Sequence, residues 1–597
     1  GRTFRKEFGF IFDYIDTSVV NGRTFLPALL TETLARKYHQ KSPSLEKEVI
    51  TANRISGIEN TPSLAQFTGS LHVKTNIYQN FIDVFDVQIP SPISPSGNMY
   101  YKYFLIDSLD VAGRKTYKVR FHPNDFVSTP VFDGEINIDA EDYAVQEAHI
   151  KLVRGPAVNF IHEMVIDIEN QKCDSVWFYR KDKFFAEFSP QKDDSYELLS
   201  FFGTRQIDYS NPVISDRIDN RPEIRGSNVL IKKDAVHNDE AFWQNARPYP
   251  LSEKEQGIYK MVSDVQAAPA YKGLYMLFSA ATNGFFDIGK IGLGPYYKAI
   301  SFNNLEGTRF LFGGRTTLQY SRNRRYTGYI AYGTRDRQLK GGFTAEYMFG
   351  NDPTRKLTLN ARHDMLQLGR SDDAFVEGNI MSSIMSKGDS EKLGPVSEYS
   401  VVYEHEFTPG FTSTFATEIK RIWSNNYVPM VTPSGENISS VAMNQLRYTG
   451  RFSWDEIVAR GPFEKYHMYS EYPVITVNLL GSFKGLGQNS YAYFRPEIVL
   501  SYRLQMPPIG VSTVQLNAGR IFGQVPYPLL KLHEGNGSYF LDPGAFACMD
   551  YYEFASDQWV TMQYFHEFKG AILGKIPLIR RLGWRENFIA KAAWGSL

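Results

Sequence analysis

The chain has 597 residues, with 65 Lys+Arg against 65 Asp+Glu, so its formal net charge is zero. That balance supplies no chain-wide basic excess to hold nucleic acid or an anionic lipid surface. Only two cysteines are present, Cys173 and Cys548, far apart in sequence, which excludes a disulfide framework or a thiolate metal site and leaves either one long-range bridge or two separate structural thiols.

The length allows two or more units of roughly 100–250 residues each. The chain opens at Gly1 without a basic segment and apolar run behind it. That is expected of a protein whose secretory leader has been removed, or of one that starts within a longer polypeptide.

Residues 1–220 read as a mixed α+β unit. Leu26, Leu29, Leu30, Leu34 and Tyr38 fall near one helical face, and Pro27 occupies a first turn that tolerates it. A second, polar helix is expected near Ser44–Ile55, with Ser44 as its cap. Pro90, Pro92 and Pro95 interrupt regular structure. From Tyr100 the pattern turns to strands: Tyr117, Val119 and Phe121 alternate with Lys118 and Arg120, and Asp133, Glu135, Asn137 and Asp139 oppose Ile136 and Ile138. A linker covers residues 221–270, within an Asn-, Asp- and Pro-rich region that begins at Asn211.

Residues 271–597 change character. Leu339, Phe343, Ala345, Tyr347 and Phe349 share a face opposite Gln338, Lys340, Thr344 and Glu346, and Gly350-Asn351-Asp352-Pro353 supplies a turn. The same alternation recurs over Arg309–Tyr320, Lys356–Met365, Gln445–Trp454, Glu497–Arg503 and Val560–Phe568. Each segment is near the length that crosses a bilayer at a tilt, and no run of ~18 apolar residues offers a spanning helix. A spanning chain of this kind closes as a barrel, because lipid satisfies no backbone groups. Aromatics make up 15% of the chain, with 43 Phe and 37 Tyr, as suits rings placed at membrane–water interfaces. The expected fold is therefore mainly β: a transmembrane antiparallel β-barrel of about 16 strands, preceded by a periplasmic α+β domain. The run from Ala590 to Gly595 reads as the start of a strand, so closing strands are expected beyond Leu597.

No catalytic signature is visible: there is no H-E-x-x-H, G-x-S-x-G, P-loop or dinucleotide fingerprint. His405-Glu406 and His566-Glu567 lack the second histidine at zinc spacing, and read as sheet residues. The acidic row from Asp133 to Asp142 invites calcium, but alternate carboxylates on a strand stand ~7 Å apart, and a solvated face explains them more simply. A non-enzyme without metal or cofactor is expected. The charged face of the C-terminal half supplies the candidate site: Arg315, Lys340, Glu346, Arg362, Arg447, Arg451, Arg495, Glu497 and Arg503 are expected to face the lumen. There they set selectivity or anchor an internal plug, or they only hydrate and brace the wall.

Two loops stand out. Gln524–Asp557 is long and rich in Tyr, Phe and Leu, so it is expected to be ordered, inside the lumen or over its mouth. Gly570–Arg585 reads as an amphipathic turn or short helix. Pro526, Tyr527, Pro528, Glu553, Lys575 and Pro577 are the candidates within them; the alternative is that both are ordinary extracellular loops.

Several stretches resemble one family. They are Leu26–Thr33, Ala52–Gly57, Asn76–Asn80, Tyr101–Leu105, Val525–Leu530, Tyr551–Phe554 and Lys575–Leu578. The chain is similar to Bacteroidota outer-membrane barrel proteins of unknown function that follow a carboxypeptidase-regulatory-like domain, a domain absent here. The resemblance implies an outer-membrane location in a Gram-negative bacterium, with the N-terminal domain in the periplasm, and a role in envelope biogenesis or transport. It brings no catalytic residues. By analogy of fold, the chain also resembles the outer-membrane assembly and secretion superfamily, and its N-terminal strands resemble half-barrel lipoprotein carriers. The leading expectation is an accessory subunit of an outer-membrane protein assembly or export complex, in contact with outer-membrane lipid and with other outer-membrane or periplasmic proteins. The alternatives are a solute-transport pore and a lipid- or lipoprotein-binding barrel.

Overall fold

The structure is a computed structural model that describes residues 16–20, 23–25, 30–40, 45–56, 76–84, 87–111, 113–124, 130–153, 161–188, 201–215, 229–231, 239–251, 255–257, 259–260, 264, 273, 276, 280, 283–351, 353–369, 392–431, 435–454, 456–470, 472–484, 491–506, 509–573, 576–580, 582 and 584–596. It is mainly β. Among the described residues, no helix is long and apolar enough to cross a membrane.

The first strands are β1 (Asp16–Val20), β2 (Arg23–Phe25), β3 (Leu30–Gln40) and β4 (Leu45–Ser56). The two helices expected here are not found. β3 and β4 instead pair antiparallel from Leu30↔Ser56 to Gln40↔Leu45, with a bulge at Leu34/Ala35. A spacing of four, as in Leu30, Leu34 and Tyr38, serves a period of two as well as one of 3.6, and Thr31, Thr33, Val49, Ile50 and Thr51 are β-branched residues that favour the strand. Leu26, Pro27, Leu29 and Ser44 lie outside the described residues.

β5 (Phe81–Val84) and β6 (Val87–Pro90) form a hairpin. A meander of seven antiparallel strands follows: β7 (Tyr101–Val111), β8 (Arg114–Pro123), β9 (Val131–Asp139), β10 (Val145–Val153), β11 (Ile161–Cys173), β12 (Val176–Phe188) and β13 (Phe201–Asp208). One face buries Phe121, Phe132, Ile136, Ile150, Met164, Ile166 and Phe184 against Ile77, Ile82, Val84 and Ile89 from the preceding hairpin segment. The other face is a ladder of cross-strand ion pairs. Asp133 holds Arg120 and His122, Glu135 holds Lys118 and Arg120, and Asp167 holds His149. The acidic row is thus matched by basic neighbours. Among the described residues of the N-terminal part, strands stand where the two helices were expected, and the only helix is the single turn Gly97–Tyr100.

β14 (Val229–Ile231) joins β4 in parallel, and a helix follows at Glu240–Ala246. Its N-cap is Asp239, whose side chain accepts the Phe242 N–H. The region expected to be a linker is tied down: Arg247 and Tyr259 donate to the Glu32 carboxylate on β3.

The C-terminal half forms one sheet of fifteen strands. They are β15 (Phe286–Ile288), β16 (Ile291–Leu293), β17 (Ile300–Asn303), β18 (Gly307–Thr316), β19 (Arg324–Gly333), β20 (Leu339–Asn351), β21 (Thr354–Gln367), β22 (Leu393–Thr408), β23 (Phe411–Trp423), β24 (Ser440–Phe452), β27 (Val474–Ser482), β28 (Tyr493–Met506), β29 (Gly510–Arg520), β32 (Gln558–Glu567) and β33 (Asn587–Ser596). The short pairs β25 (Ile457–Arg460) with β26 (Lys465–Tyr469), and β30 (Lys531–Leu532) with β31 (Ala555–Ser556), lie within connections. Successive strands pair except that β16 pairs β18 and β17 joins β18 off the main path, and among the described residues β15 and β33 do not pair with each other. The alternating segments expected from sequence correspond to β18, β20, β21, β24, β28 and β32.

The two ends of this sheet differ. At one end, β20–β21, β22–β23 and β28–β29 turn tightly, and the left-handed Gly510 brings its backbone against the Glu567 carbonyl where a Cβ would not fit. The other end carries the longest connection, 521–557 between β29 and β32, with 368–392 and 424–439, although β19–β20 turns there within five residues; at the tight-turn end β24–β27 and β32–β33 are the long exceptions. β15 and β16 pair beside Gly314–Thr316, so the chain enters the sheet at the tight-turn end.

Candidate functional site

The register sorts side chains onto two faces. Ala345, Leu359, Val401, Thr417 and Leu446 stand in one paired row across β20 to β24, and Arg362, Glu398 and Lys420 in a row of the other face. The apolar face is exposed: Phe343, Leu359, Ile419, Leu446, Ile498 and Val560 are each more than two-fifths accessible. Its aromatic rings gather toward the ends. At the tight-turn end His405, Phe407, Phe411 and Phe452 stack in succession, with centroids 4.2, 5.7 and 4.6 Å apart. At the long-loop end Trp423 meets His363 and Phe522 meets Phe494.

The polar face lies inside a curve. Arg309 on β18 reaches Asp364 on β21, three strands away, at 2.6 Å. In a flat sheet those strands stand about 14 Å apart, beyond the reach of the two side chains, so the sheet curls around its polar face.

The nine charges expected to line a lumen all lie on this polar face, largely in pairs. Arg362 binds Glu398 at 2.7 Å; Lys420 stands 3.8 Å from Glu398 and 3.5 Å from Glu418; Arg447 reaches Glu418 at 3.3 Å. Lys340 is buried with Glu306 at 2.8 Å and also binds Asp336. Glu346 joins Arg325 and Lys356. Arg451 meets Glu456 at 2.6 Å. Arg495 lies 3.8 Å from Glu497 and 4.9 Å from the Trp559 ring centroid, while Glu497 accepts from Asn517. Arg315 packs over Phe285 at 4.1 Å, and Arg503 lies on β28 opposite Thr513.

Two pieces of chain cross this inner face. The first is the β25–β26 hairpin with its flanks. Glu406 on β22, 1% exposed, accepts from Arg460 and Lys465 of the hairpin and from the Thr354 N–H. Glu464 takes Arg325 of β19, and Lys356 donates to the Phe463 carbonyl. The hairpin thus leaves β24 and reaches β19–β22. Sequence analysis missed it: its strands are short, and only its density of Arg, Lys and Glu marked it.

The second piece is the long connection 521–557, ordered as expected. Leu529 buries itself with Ile422, Met443 and Tyr493 on the sheet and with Val428 and Met430 of the β23–β24 connection. Pro528, Leu529 and Leu530 roof a cavity of about 160 Å³ walled by Glu418, Lys420, Arg447 and Arg495. Gly544 accepts from Gln563 of β32, Lys591 of β33 donates to the Pro543 and Ala545 carbonyls, and Gly535 donates to Gly369 at the end of β21. The segment therefore spans the inner face from β21 to β33. Pro526 precedes a 3₁₀ turn at Tyr527–Leu529. The Tyr527 hydroxyl donates to the Tyr552 and Glu553 carbonyls at 3.1 Å, and the Glu553 carboxylate accepts the Asp550 N–H at 2.7 Å. A Cβ at Gly537 would clash with the Tyr551 ring at its Cε2. Burial holds the His533 imidazole below its ordinary pKa, and its Nε2 meets the Ser556 hydroxyl.

The remaining loop candidates lie apart from this site. Pro577 opens the short helix Pro577–Arg580 in the β32–β33 connection, at the tight-turn end, and Lys575 lies outside the described residues. Cys173 and Cys548 are both free thiols.

Residues 286–595 match the C-terminal domain of a family of unknown function (DUF5686), and residues 22–191 match that family's preceding domain. No curated protein matches the chain. A crystal structure of BamA from Haemophilus ducreyi lacking POTRA domains 1–3 aligns with a TM-score of 0.30 and 8% identity, over 47% of this chain and 52% of that one. A score of that size does not establish a shared fold.

Proposed function

The chain belongs to the DUF5686 family, whose function is unknown, and we propose that it is an outer-membrane β-barrel of a Gram-negative bacterium, closed by its own chain and working without catalysis in cell-envelope biogenesis. The observation that carries this reading is the curled sheet, with an exposed apolar outer face edged by aromatic rings and a charged inner face. In water, such an apolar face exceeds what a soluble monomer tolerates. In a bilayer it is the lipid contact, the rings sit at the two interfaces, and the charges stay in the lumen. The strands of the large sheet from β18 to β33, the connection strands β25, β26, β30 and β31 aside, have 9 to 16 residues, enough to cross.

Short turns face the periplasm and long loops the exterior in barrels of this kind. Entry of the chain at the tight-turn end then puts the N-terminal sheets in the periplasm. A lumen crossed by the hairpin and by residues 521–557 favours a protein-handling role over a solute pore. The seven-stranded sheet has filled its apolar face with its own Ile77, Ile82, Val84 and Ile89, which weighs against a lipid carrier. Its edge strand β7 pairs only with β8 among the described residues and exposes Phe104, Leu105 and Ile106, an edge suited to a partner's strand. We therefore favour an accessory subunit of an outer-membrane assembly or export complex. Depletion is expected to lower other outer-membrane proteins or surface lipoproteins in a quantitative membrane proteome; an unchanged proteome would overturn the assignment.

A further inference from the structure

The chain as a whole is neutral, yet one connection is not. Between β32 and β33, residues 569–586 carry Lys569, Lys575, Arg580, Arg581 and Arg585 against one acid, Glu586, and Lys569 pairs with Glu567 at the end of β32 at 3.0 Å, which leaves four basic residues to one acid. The same connection exposes Ile572, Ile576, Leu578, Leu582 and Trp584, with Leu578 at 78% and Trp584 at 61%. Among the described residues, none takes these large apolar side chains from water. The tight turns at this end, such as β20–β21 and β28–β29, carry no comparable cluster.

The apolar outer face runs directly into this segment. Val560, Met562 and Phe588 on β32 and β33 are exposed on it, and His566 and Phe568 close the end of β32 with rings 4.2 Å apart. The segment thus continues the lipid-facing surface past the last rings of the strands, at the depth where headgroups begin. Apolar side chains interleaved with basic ones, plus a tryptophan, are the composition of a segment lying in the bilayer interface.

Building on the barrel reading above, we infer that the described residues of the 569–586 connection are an interfacial anchor. Ile572, Leu578, Leu582 and Trp584 lie at the acyl boundary of the periplasmic leaflet beside β32 and β33, and the basic excess in the connection's sequence suits an anionic headgroup layer. The occupant of the exposed apolar surface is lipid rather than another polypeptide.

The test uses the full chain with C173S and C548S, labelled with an environment-sensitive fluorophore at L578C. It is reconstituted into phosphatidylcholine vesicles with and without phosphatidylglycerol, containing acyl chains brominated at shallow or deep positions. I572C is a second reporter, in case one substitution prevents insertion. L359C reports the outer face of the barrel, and D174C, in the N-terminal turn between β11 and β12, reports water. The expected result is blue-shifted emission at 578 and 572, quenched more by shallow than by deep bromines and strengthened by phosphatidylglycerol. L359C should be quenched by deep bromines and D174C by neither. Aqueous emission at 578 and 572 with L359C quenched would overturn the anchor alone. An unquenched L359C would overturn the barrel reading itself. If 578 is shielded only while a co-purifying polypeptide is bound, a protein partner replaces lipid and the inference fails.

Discussion

Glu406 holds the inner hairpin more than any other side chain. It is fully buried, and Arg460, Lys465 and the Thr354 N–H all converge on it. Removing one partner of a buried ionic cluster strands the others, at a cost of about 3–5 kcal/mol. E406Q is therefore expected to release the hairpin without dissolving the sheet. Limited proteolysis should find new cleavage within 454–472, whereas a cleavage pattern like the wild type's would show that the cluster does not hold the hairpin. Trp559 plays the matching part on β32: its indole N–H donates to Asn517 and Arg495 lies against its ring. W559A should cost about 3–5 kcal/mol, read as a lower unfolding temperature in detergent. In the N-terminal sheet, the Arg114 guanidinium and then the Asp142 and Glu141 amides hold Asp139 well below the ordinary carboxylate range, against the opposing effect of burial. A depressed folded pKa means that its contribution is complete above the ordinary carboxylate pKa and is lost as pH falls below it. D139N should remove that acid dependence. Hydrogen exchange over β8–β10 of the wild type is expected to accelerate as pH falls below about 4, after correction for intrinsic exchange, and the variant should show a smaller step, the remainder coming from Glu135 and Asp142, which are also held below the ordinary range by their basic partners.

At the scale of elements, the connection 521–557 behaves as part of the interior rather than as a surface loop. Leu529, Phe546 and Ala545 are buried, Gly535 donates its N–H to the Gly369 carbonyl just past β21, and the side chains of Gln563 on β32 and Lys591 on β33 donate to the Gly544 and Ala545 carbonyls. Its amides are expected to exchange as slowly as those of β28 and β29; exchange at the rate of an open loop would refute that packing. Much of this was legible beforehand. Gln338–Phe349 was readable as β20, because period-2 alternation over a dozen residues has no helical equivalent, and the Tyr, Phe and Leu content of 524–557 announced an ordered segment. β3 and β4 were misread because Leu30, Leu34 and Tyr38 satisfy both periods and because a bulge at Leu34/Ala35 breaks the alternation. The partners of the inner charges were hidden for a different reason. Arg362 finds Glu398 and Arg309 finds Asp364 only once register and curvature are known, and no spacing within one segment encodes either. The hairpin around Glu406 escaped notice because β25 and β26 are four and five residues long.

For the whole molecule, the two inner pieces divide the labour. The hairpin is held by ionic contacts at the tight-turn end, while 521–557 seals the long-loop end with an apolar cluster around Leu529. On the barrel reading proposed above, such a body would separate the two compartments and leave its N-terminal sheets open to partners. The most direct test is single-channel recording in planar bilayers of the purified full chain, side by side with a variant lacking residues 533–551 and carrying E406Q. The account predicts a silent wild type and a variant with steady, large conductance. A conducting wild type would contradict closure, and a silent variant that is folded and inserted would contradict the barrel.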